Sequence, residues 1–310
     1  MDHLTYADVT AAAERVTGRV RPLAVAPAGD GRTWFALEFL QHTGTFKARG
    51  AINFIRTHQE AGTLPDAGVT IASGGNAGLA CAWAARAQGV RATVFLPETA
   101  PPVKVARLRA YGADVRLSGS EYADALDACR IHAAESGALA SHAYDHPLVA
   151  AGAGTLMEEL HARLPDLDTV VVSVGGGGLF AGVAAAAHEH GVRVVAVEPE
   201  ECRALNAALA AGEVVDVPVA SVAADALGAR RATPMALHAA QRYDVRSVLV
   251  TDGEIVRARQ ELWDTYRVAV EHAAATALAG LCAYRPAEGE RTAVVLCGAN
   301  TDPGDLTRPA

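Results

Sequence analysis

The chain has 310 residues, of which 51% are hydrophobic and 20% are charged, and this balance excludes a disordered protein. The formal net charge of −8 argues against a protein that binds nucleic acid or an anionic membrane surface. The five cysteines include no Cys-x-x-Cys pair, which argues against a disulfide framework and a thiolate zinc site.

In chain order, the N-terminal region is acidic and has no apolar segment, so we expect no secretory signal and a cytoplasmic location. Short apolar runs then alternate with alanine-rich segments, a pattern typical of buried parallel strands joined by helices. The pattern predicts strands at residues 69–72, 92–96, 113–117, 169–174, 192–197, 247–251 and 293–297. It predicts helices at residues 47–58, 76–88, 102–111, 121–136 and 179–190, and a glycine follows each of the last four.

Residues 169–187 carry no formal charge and are long enough to cross a bilayer. Four consecutive glycines interrupt this segment, and glycine weakens a helix at each position. The segment therefore predicts a buried strand, a glycine turn and a buried helix, and we expect no membrane partner.

Lysine occurs only at positions 47 and 104, although the chain has 27 lysines and arginines in total. Lys47 lies in the segment Thr-Gly-Thr-Phe-Lys-Ala-Arg-Gly-Ala, at the predicted start of a helix. Chemistry that needs a primary amine therefore has two side-chain candidates. Taken alone, the segment also fits a lysine on the surface of a helix, where most lysines lie.

Two glycine-rich segments, residues 73–77 and 173–179, follow predicted strands and open predicted helices. Backbone N–H groups at such turns have no partner within the helix, and they suit a carboxylate or a phosphate. The second segment matches neither the dinucleotide fingerprint nor the P-loop. A helix N-cap at Ser73 or Asn76, and a tight glycine turn in the second segment, are the alternatives that need no ligand.

The segment Leu-Cys-Gly-Ala-Asn at residues 296–300 follows the last predicted strand. Cys297 is therefore expected at the carboxyl end of a strand, where α/β sheets bind ligands. A buried and inert cysteine is the alternative.

Together, these segments resemble the fold-type II pyridoxal-phosphate enzymes, and within them the serine/threonine dehydratase family. The resemblance runs from about Leu37 to Asn300, and it includes residues 38–41, 96–101, 197–199, 221–228 and 270–271 besides the segments above. It implies an α/β fold of two domains, similar to the tryptophan synthase β subunit, with mostly parallel twisted sheets and helices on both faces. The small α/β domain would comprise residues 69–144, and the large cofactor-binding domain residues 1–68 and 145–310.

The resemblance also implies a role for each residue of the site. Lys47 would be the catalytic residue and would bind pyridoxal phosphate covalently, with Phe46 beside the ring. Residues Gly175 to Leu179, called the glycine loop below, would hold the phosphate. Asn76 would contact the ring hydroxyl and Cys297 the pyridine nitrogen. The full set of cofactor contacts would be Phe46, Lys47, Asn76, Gly175, Gly176, Gly177, Gly178, Leu179, Gly228 and Cys297. The substrate carboxylate would be bound by Ser73, Gly74, Gly75, Asn76 and Ala77.

Family members that bind a divalent metal carry an acidic residue six positions after the glutamate that matches Glu198. Here that position is Ala204, so a magnesium site with this ligand set is not expected. Residues 221–228 and the pair Cys297-Gly298 resemble the animal-type serine dehydratases most. This resemblance implies instead a monovalent cation, K+, bound by Glu198 and nearby carbonyl groups.

The activity that the resemblance implies is β-elimination from L-serine or L-threonine, which gives a 2-oxo acid and ammonia, in a homodimer. Gly74 stands where the racemases of this family carry a serine that acts on the second face of the substrate, and this favours elimination over racemisation. Dehydration of 3-hydroxyaspartate or phenylserine, and β-replacement of the cysteine synthase type, stay open as alternatives. A non-catalytic binding module is a further alternative, against which the presence of Lys47 argues.

Overall fold

The computed structural model describes residues 3–307, and in this part of the chain the strands form two separate sheets. The strands are β1 (Val25–Pro27), β2 (Thr33–Ala36), β3 (Val69–Ala72), β4 (Ala92–Leu96), β5 (Asp114–Leu117), β6 (Leu139–Ala140), β7 (Thr169–Ser173), β8 (Arg193–Pro199), β9 (Val245–Val250) and β10 (Thr292–Val295). The larger sheet has the order β1-β2-β10-β7-β8-β9, and the smaller has the order β5-β4-β3-β6. Neighbouring strands are parallel except for β1 and β2, as expected for strands joined by helical crossovers.

Helices connect the strands and cover the sheets. They are α1 (Tyr6–Val16), α2 (Lys47–Glu60), α3 (Asn76–Ala87), α4 (Pro102–Ala110), α5 (Tyr122–Ser136), α6 (Pro147–Arg163), α7 (Gly178–Glu189), α8 (Ala204–Ala211), α9 (Ala224–Leu227), α10 (Pro234–Arg242), α11 (Asp252–Tyr266) and α12 (His272–Tyr284). Short 3-10 helices occupy Glu38–Leu40, His42–Gly44 and Pro303–Leu306.

The predicted elements are all present, with bounds that differ by at most two residues. The glycines that follow α3, α4, α5 and α7 have positive φ angles of 67° to 81°, which confirms the predicted helix ends. Residues 169–187 form β7, the glycine loop and most of α7. Among the described residues, no helix combines the length and the apolar character needed to cross a membrane.

Close packing of α6 against α7 fixes the position of the loop that opens α7. A Cβ atom on Gly154 of α6 would lie 2.5 Å from the carbonyl oxygen of Gly182 in α7, so only glycine allows this approach. The core of α7 is alanine-rich and fully buried, and β7 below it is buried at every position. The glycine loop is therefore held between two rigid elements.

We propose that the small sheet marks the small domain predicted at residues 69–144, because β3 to β6 all lie within that range. Helix α2 precedes the predicted boundary. It contacts both units of the fold, the one around the small sheet and the one around the large sheet. Its residues Ile52, Phe54 and Ile55 belong to the hydrophobic core of the small sheet, while α2 also packs against α6. Lys47, at the start of α2, therefore lies at the junction of the two units.

Candidate active site

A cavity of about 610 Å³ collects nearly all of the residues predicted to form the site. Its walls include Phe46, Lys47, Ser73, Gly74, Gly75, Asn76, Ala77, Gly175, Gly176, Gly177, Gly178, Leu179, Gly228 and Cys297. Of the predicted site residues, Glu198 alone is absent from these walls. Segments that belong to the two different sheets thus meet around one cavity.

Lys47 is the first residue of α2, and a short bridge holds the segment before it. Thr45 pairs with Gly298, and the Phe46 amide donates to the Cys297 carbonyl oxygen over 3.0 Å. The Nζ atom of Lys47 donates to the Ala143 carbonyl oxygen over 3.0 Å and lies 4.8 Å from the centroid of the Phe46 ring. Burial lowers the pKa of Lys47 to about 8, against the opposing influence of the Glu271 carboxylate.

The glycine loop presents a row of free backbone donors. Within residues 3–307, the amides of Gly175, Gly176, Gly177, Gly178 and Leu179 have no hydrogen-bond acceptor. They lie at the N-terminus of α7, where the partial positive charge of the helix adds to their attraction for an anion. Five free donors in a row at a helix N-terminus suit an anion such as a phosphate.

Three of these positions, Gly176, Gly177 and Gly178, accept no residue other than glycine without displacement of a neighbour. A Cβ atom on Gly178 would lie 2.6 Å from the carbonyl oxygen of Tyr144. Gly177 has a φ of +98°, and a Cβ atom there would lie closer than 3.0 Å to the Cβ atom of Ala236. A Cβ atom on Gly176 would meet the ring of Tyr144 in the same way. The close approach of Tyr144 and α10 therefore explains the glycines in structural terms.

The loop at residues 73–77 also presents free backbone donors. The N-cap of α3 is Gly75, without a side-chain cap, so the alternative of an N-cap at Ser73 or Asn76 is wrong. Among the described residues, the amides of Gly74, Asn76 and Ala77 find no acceptor. These donors lie at the start of a helix, where a carboxylate binds favourably.

Two buried polar side chains, Cys297 and Glu271, lie near Lys47. Cys297 is 3% exposed, and its thiol lies 3.6 Å from the Ser173 hydroxyl. Burial raises the pKa of this thiol to about 12. The Glu271 carboxylate is also buried, and burial raises its pKa. Both of its oxygens accept from the Nδ2 atom of Asn76, at 3.0 and 3.1 Å. The thiol is therefore neutral at neutral pH, and the carboxylate beside it is hydrogen-bonded.

Glu198 lies apart from this group, at the end of β8. Its side chain is fully buried, and its two oxygens accept from the amides of Leu205 and Asn206 at 2.7 and 2.8 Å. Burial raises its pKa to about 7. The carboxylate thus caps the N-terminal end of α8. The described residues contain no group of three or more His, Cys, Asp or Glu side chains that suits a metal ion.

The cavity wall also includes Tyr122, Tyr144, Asp225 and Glu271, to which the sequence analysis gave no role. Tyr122 and Tyr144 supply aromatic surface, Asp225 pairs with Lys104 over 3.2 Å, and Glu271 supports Asn76. The sequence held a signal for Asp225 and Glu271, because the resemblance covers residues 221–228 and 270–271. The tyrosines lie in segments without a glycine or lysine pattern, so nothing local pointed to them.

The donors in the cavity fit pyridoxal phosphate. The five free amides of the glycine loop suit its phosphate, and the amine of Lys47 suits its aldehyde. The Asn76 side-chain amide is a hydrogen-bond donor that suits the ring hydroxyl. The Cys297 thiol is a weak donor that suits the ring nitrogen. The α/β fold with mostly parallel sheets and this site define a pyridoxal-phosphate enzyme of fold type II.

Comparison with known proteins agrees. A family model described as "Pyridoxal-phosphate dependent enzyme" matches residues 14–298, and the chain therefore belongs to this family. It is 39% identical to an L-threonine ammonia-lyase of Geobacter sulfurreducens, over 87% of this chain and 67% of that protein. It is 37% identical to a human serine dehydratase-like protein, over 85% of this chain and 83% of the relative.

Among solved structures, that of maize serine racemase is similar to the whole fold. The TM-score is 0.91 at 27% sequence identity, with 98% of this chain and 96% of the racemase covered.

Proposed function

We propose that this enzyme is an ammonia-lyase that converts L-serine and L-threonine to a 2-oxo acid and ammonia. The observation that carries the proposal is the meeting of three groups in one cavity: the Lys47 amine, the free backbone donors at residues 73–77 and the free amides of the glycine loop. The names of the two sequence relatives, a threonine ammonia-lyase and a serine dehydratase-like protein, support it.

Pyridoxal phosphate, when bound, supplies an electron sink for the pair of electrons left when the α-proton is removed. Lys47 would hold the cofactor at rest and would take the α-proton once the substrate amine replaces it. A pKa of about 8 leaves roughly a tenth of such amines neutral at pH 7, far more than for an ordinary lysine. Burial thus prepares Lys47 to act as a base near neutral pH.

Residues 73–77 would hold the substrate carboxylate, and the same loop bears on the stereochemical outcome. Gly74 offers no proton donor to the face opposite Lys47. A Cβ atom at Gly74 would lie 2.7 Å from the Cδ2 atom of Leu96, so a side chain there requires Leu96 to move. Protonation of the α-carbon from that side is therefore unsupported, and loss of the β-hydroxyl is favoured.

Cys297 would meet the pyridine nitrogen with a neutral thiol, because its pKa is about 12. A thiol is only a weak donor, so it would not hold that nitrogen protonated as a carboxylate would. The electron sink would be moderate as a result, and departure of the β-hydroxyl competes well with return of the proton. Water leaves the amino acid in this step and is taken up again when ammonia is released.

The test is a substrate panel with the holoenzyme. We expect pyruvate from L-serine and 2-oxobutyrate from L-threonine, and no D-serine by chiral chromatography. D-serine formed as fast as pyruvate would contradict the argument from Gly74. Turnover of phenylserine or 3-hydroxyaspartate without turnover of the L-forms of serine and threonine would contradict the proposed substrates.

We also propose that a monovalent cation, K+, binds at Glu198. This carboxylate is fully buried, and none of the salt bridges in the described part of the chain includes it. Each of its oxygens accepts one hydrogen bond from a backbone amide and keeps a free lone pair for a cation.

Removal of the charge at Glu198 tests this proposal. In a Glu198→Gln variant, the K+ concentration that gives half-maximal activity should rise about tenfold or more, because a ligand of the ion is weakened. Activity is measured over a K+ titration with tetramethylammonium as the balancing cation. A wild-type enzyme with equal activity in both cations would contradict a K+ requirement.

A cytoplasmic location, a homodimer and the absence of nucleic-acid and membrane partners complete the proposal, as the resemblance and the charge imply. Light scattering on the eluted protein should give about twice the chain mass of 32.0 kDa. A mass equal to that of one chain would contradict the homodimer.

A further inference from the structure

A chain of hydrogen bonds runs from the surface of α4 into the cavity. The Arg107 guanidinium donates to the Oδ1 atom of Asn300 over 2.6 Å. The Nδ2 atom of Asn300 donates to the Oδ1 atom of Asn76 over 2.7 Å and to the Thr43 carbonyl oxygen over 2.8 Å. Asn76 in turn donates from Nδ2 to the Glu271 carboxylate.

The two ends of this chain fix the direction of every bond between them. A guanidinium only donates, and a backbone carbonyl only accepts. Asn300 must therefore turn its oxygen to Arg107 and its NH₂ group to Thr43. Asn76 must then turn its oxygen to Asn300, which leaves its NH₂ group facing the Glu271 carboxylate and the cavity.

The carbonyl group of Thr43, which accepts from Asn300, belongs to a residue with a strained backbone conformation. Thr43 has a φ of 64°, in the left-handed region that a β-branched residue rarely adopts. Strain of this kind persists where the surrounding structure enforces it, and it is frequent at functional sites. Its neighbour Gly44 also has a positive φ, and a Cβ atom there would lie 3.1 Å from the Asn300 oxygen.

These hydrogen bonds also join the unit around the small sheet to the unit around the large sheet. Arg107 and Asn76 follow strands of the small sheet, whereas Asn300, Thr43 and Glu271 belong to the parts of the chain around the large sheet. The orientation of the Asn76 amide thus depends on contact between the two units.

We propose that Arg107 and Asn300 are positioning residues that set the orientation of the Asn76 amide and so direct its NH₂ group to the cofactor. This rests on the proposed contact of Asn76 with the ring hydroxyl of pyridoxal phosphate. With two hydrogens, the NH₂ group can serve Glu271 and the ring oxygen together. A reversed amide would turn its oxygen to both of these acceptors and lose both bonds.

Three substitutions on α4 distinguish the loss of the outer hydrogen bond from a reversal of the direction of the bonds. Arg107→Met removes the outer donor and leaves the Thr43 carbonyl to orient Asn300. Arg107→Glu places an acceptor there, so that both neighbours of Asn300 compete for its NH₂ group. Arg109→Glu makes the same charge change two residues away, where the side chain is exposed and takes no part in the hydrogen-bond chain.

The readout is the dissociation constant of pyridoxal phosphate, from equilibrium dialysis of the apoenzyme, together with the absorption maximum of the bound cofactor. We expect Arg107→Glu to weaken binding about tenfold or more, since a reversed Asn76 amide loses its hydrogen bonds to the cofactor and to Glu271. Arg107→Met should weaken it about threefold, a loss between the wild type and Arg107→Glu, because the Thr43 carbonyl alone then orients Asn300. Arg109→Glu should bind as the wild type does. Asn300→Asp, which accepts but does not donate, should resemble Arg107→Glu.

Equal affinity in Arg107→Glu and Arg109→Glu would overturn the proposal, as would an Arg107→Met variant that binds the cofactor as tightly as the wild type. Because α4 is exposed at Arg107, these variants test the idea even where Asn300→Asp fails to fold. Asn76→Ala with wild-type affinity would overturn the Asn76 contact as well. None of these results depends on the identity of the amino-acid substrate.

Discussion

Replacement of Lys47 by alanine should abolish covalent binding of pyridoxal phosphate and reduce the lyase activity by about 10⁴-fold, the upper range for loss of a general base. Lys104→Ala is the matched control. Lys104 is the second of two lysines, and it lines the same cavity. It pairs with Asp225 at the surface and should leave the covalent bond intact.

Mass spectrometry can identify which of the two lysines in the chain binds the cofactor. The cofactor is fixed to its lysine by borohydride, the protein is digested, and the labelled peptide is identified. We expect the label on the peptide that contains Lys47. A label on Lys104, or an unchanged visible absorption band in Lys47→Ala, would contradict the assignment.

The rate at which the apoenzyme captures the cofactor should depend on pH through the same amine. Only the neutral amine attacks an aldehyde, and burial lowers the pKa of Lys47 to about 8. The rate should therefore rise about tenfold per pH unit below pH 8 and level off above it. An ordinary lysine would give a rate that still rises toward pH 10.

Loss of the neighbouring negative charge should shift this profile in a defined direction. The Glu271 carboxylate favours the charged form of Lys47, so Glu271→Gln should lower the pKa of Lys47 further. The plateau of the capture rate would then begin at a lower pH. Stopped-flow absorbance at several pH values measures both profiles, and a plateau at higher pH in the variant would contradict the charge argument.

The parts of the site that the sequence predicts are those with local signals. Lys47 and the two glycine-rich loops each lie at a junction of one strand or loop with one helix, and such junctions follow from glycine placement and apolar periodicity. The predicted helix at residues 76–88 begins at Asn76 as observed. The two-residue strand β6 is too short to show a period, so it was not predicted.

The long-range parts of the site had no local signal. Arg107 and Asn300 are 193 positions apart in the sequence, and their contact depends on how the two units pack. Glu198 shows the same limit in another form. The sequence shows a glutamate between a strand and a helix, but only the fold reveals that both of its oxygens meet the amides of α8.

Gly177→Ala should weaken binding of pyridoxal phosphate by about 10²-fold, the value expected when two charge-assisted hydrogen bonds to a phosphate are lost. Gly177 has a φ of +98°, which alanine adopts at a cost of about 1–2 kcal/mol. Its new methyl group would also press against Ala236. The loop must therefore change shape, and its five amides would no longer converge on one anion.

The opposite end of α7 supplies the matched control. Gly191 has a φ of +69°, and no atom lies within 4 Å of the place that a Cβ atom would take, so Gly191→Ala carries a similar backbone cost without any change in the cavity. Thermal unfolding measures the shared loss of stability, and dialysis measures cofactor affinity. We expect both variants to be destabilised and only Gly177→Ala to lose affinity. Equal loss of affinity in the two variants would mean that general destabilisation, and not the phosphate loop, controls cofactor binding.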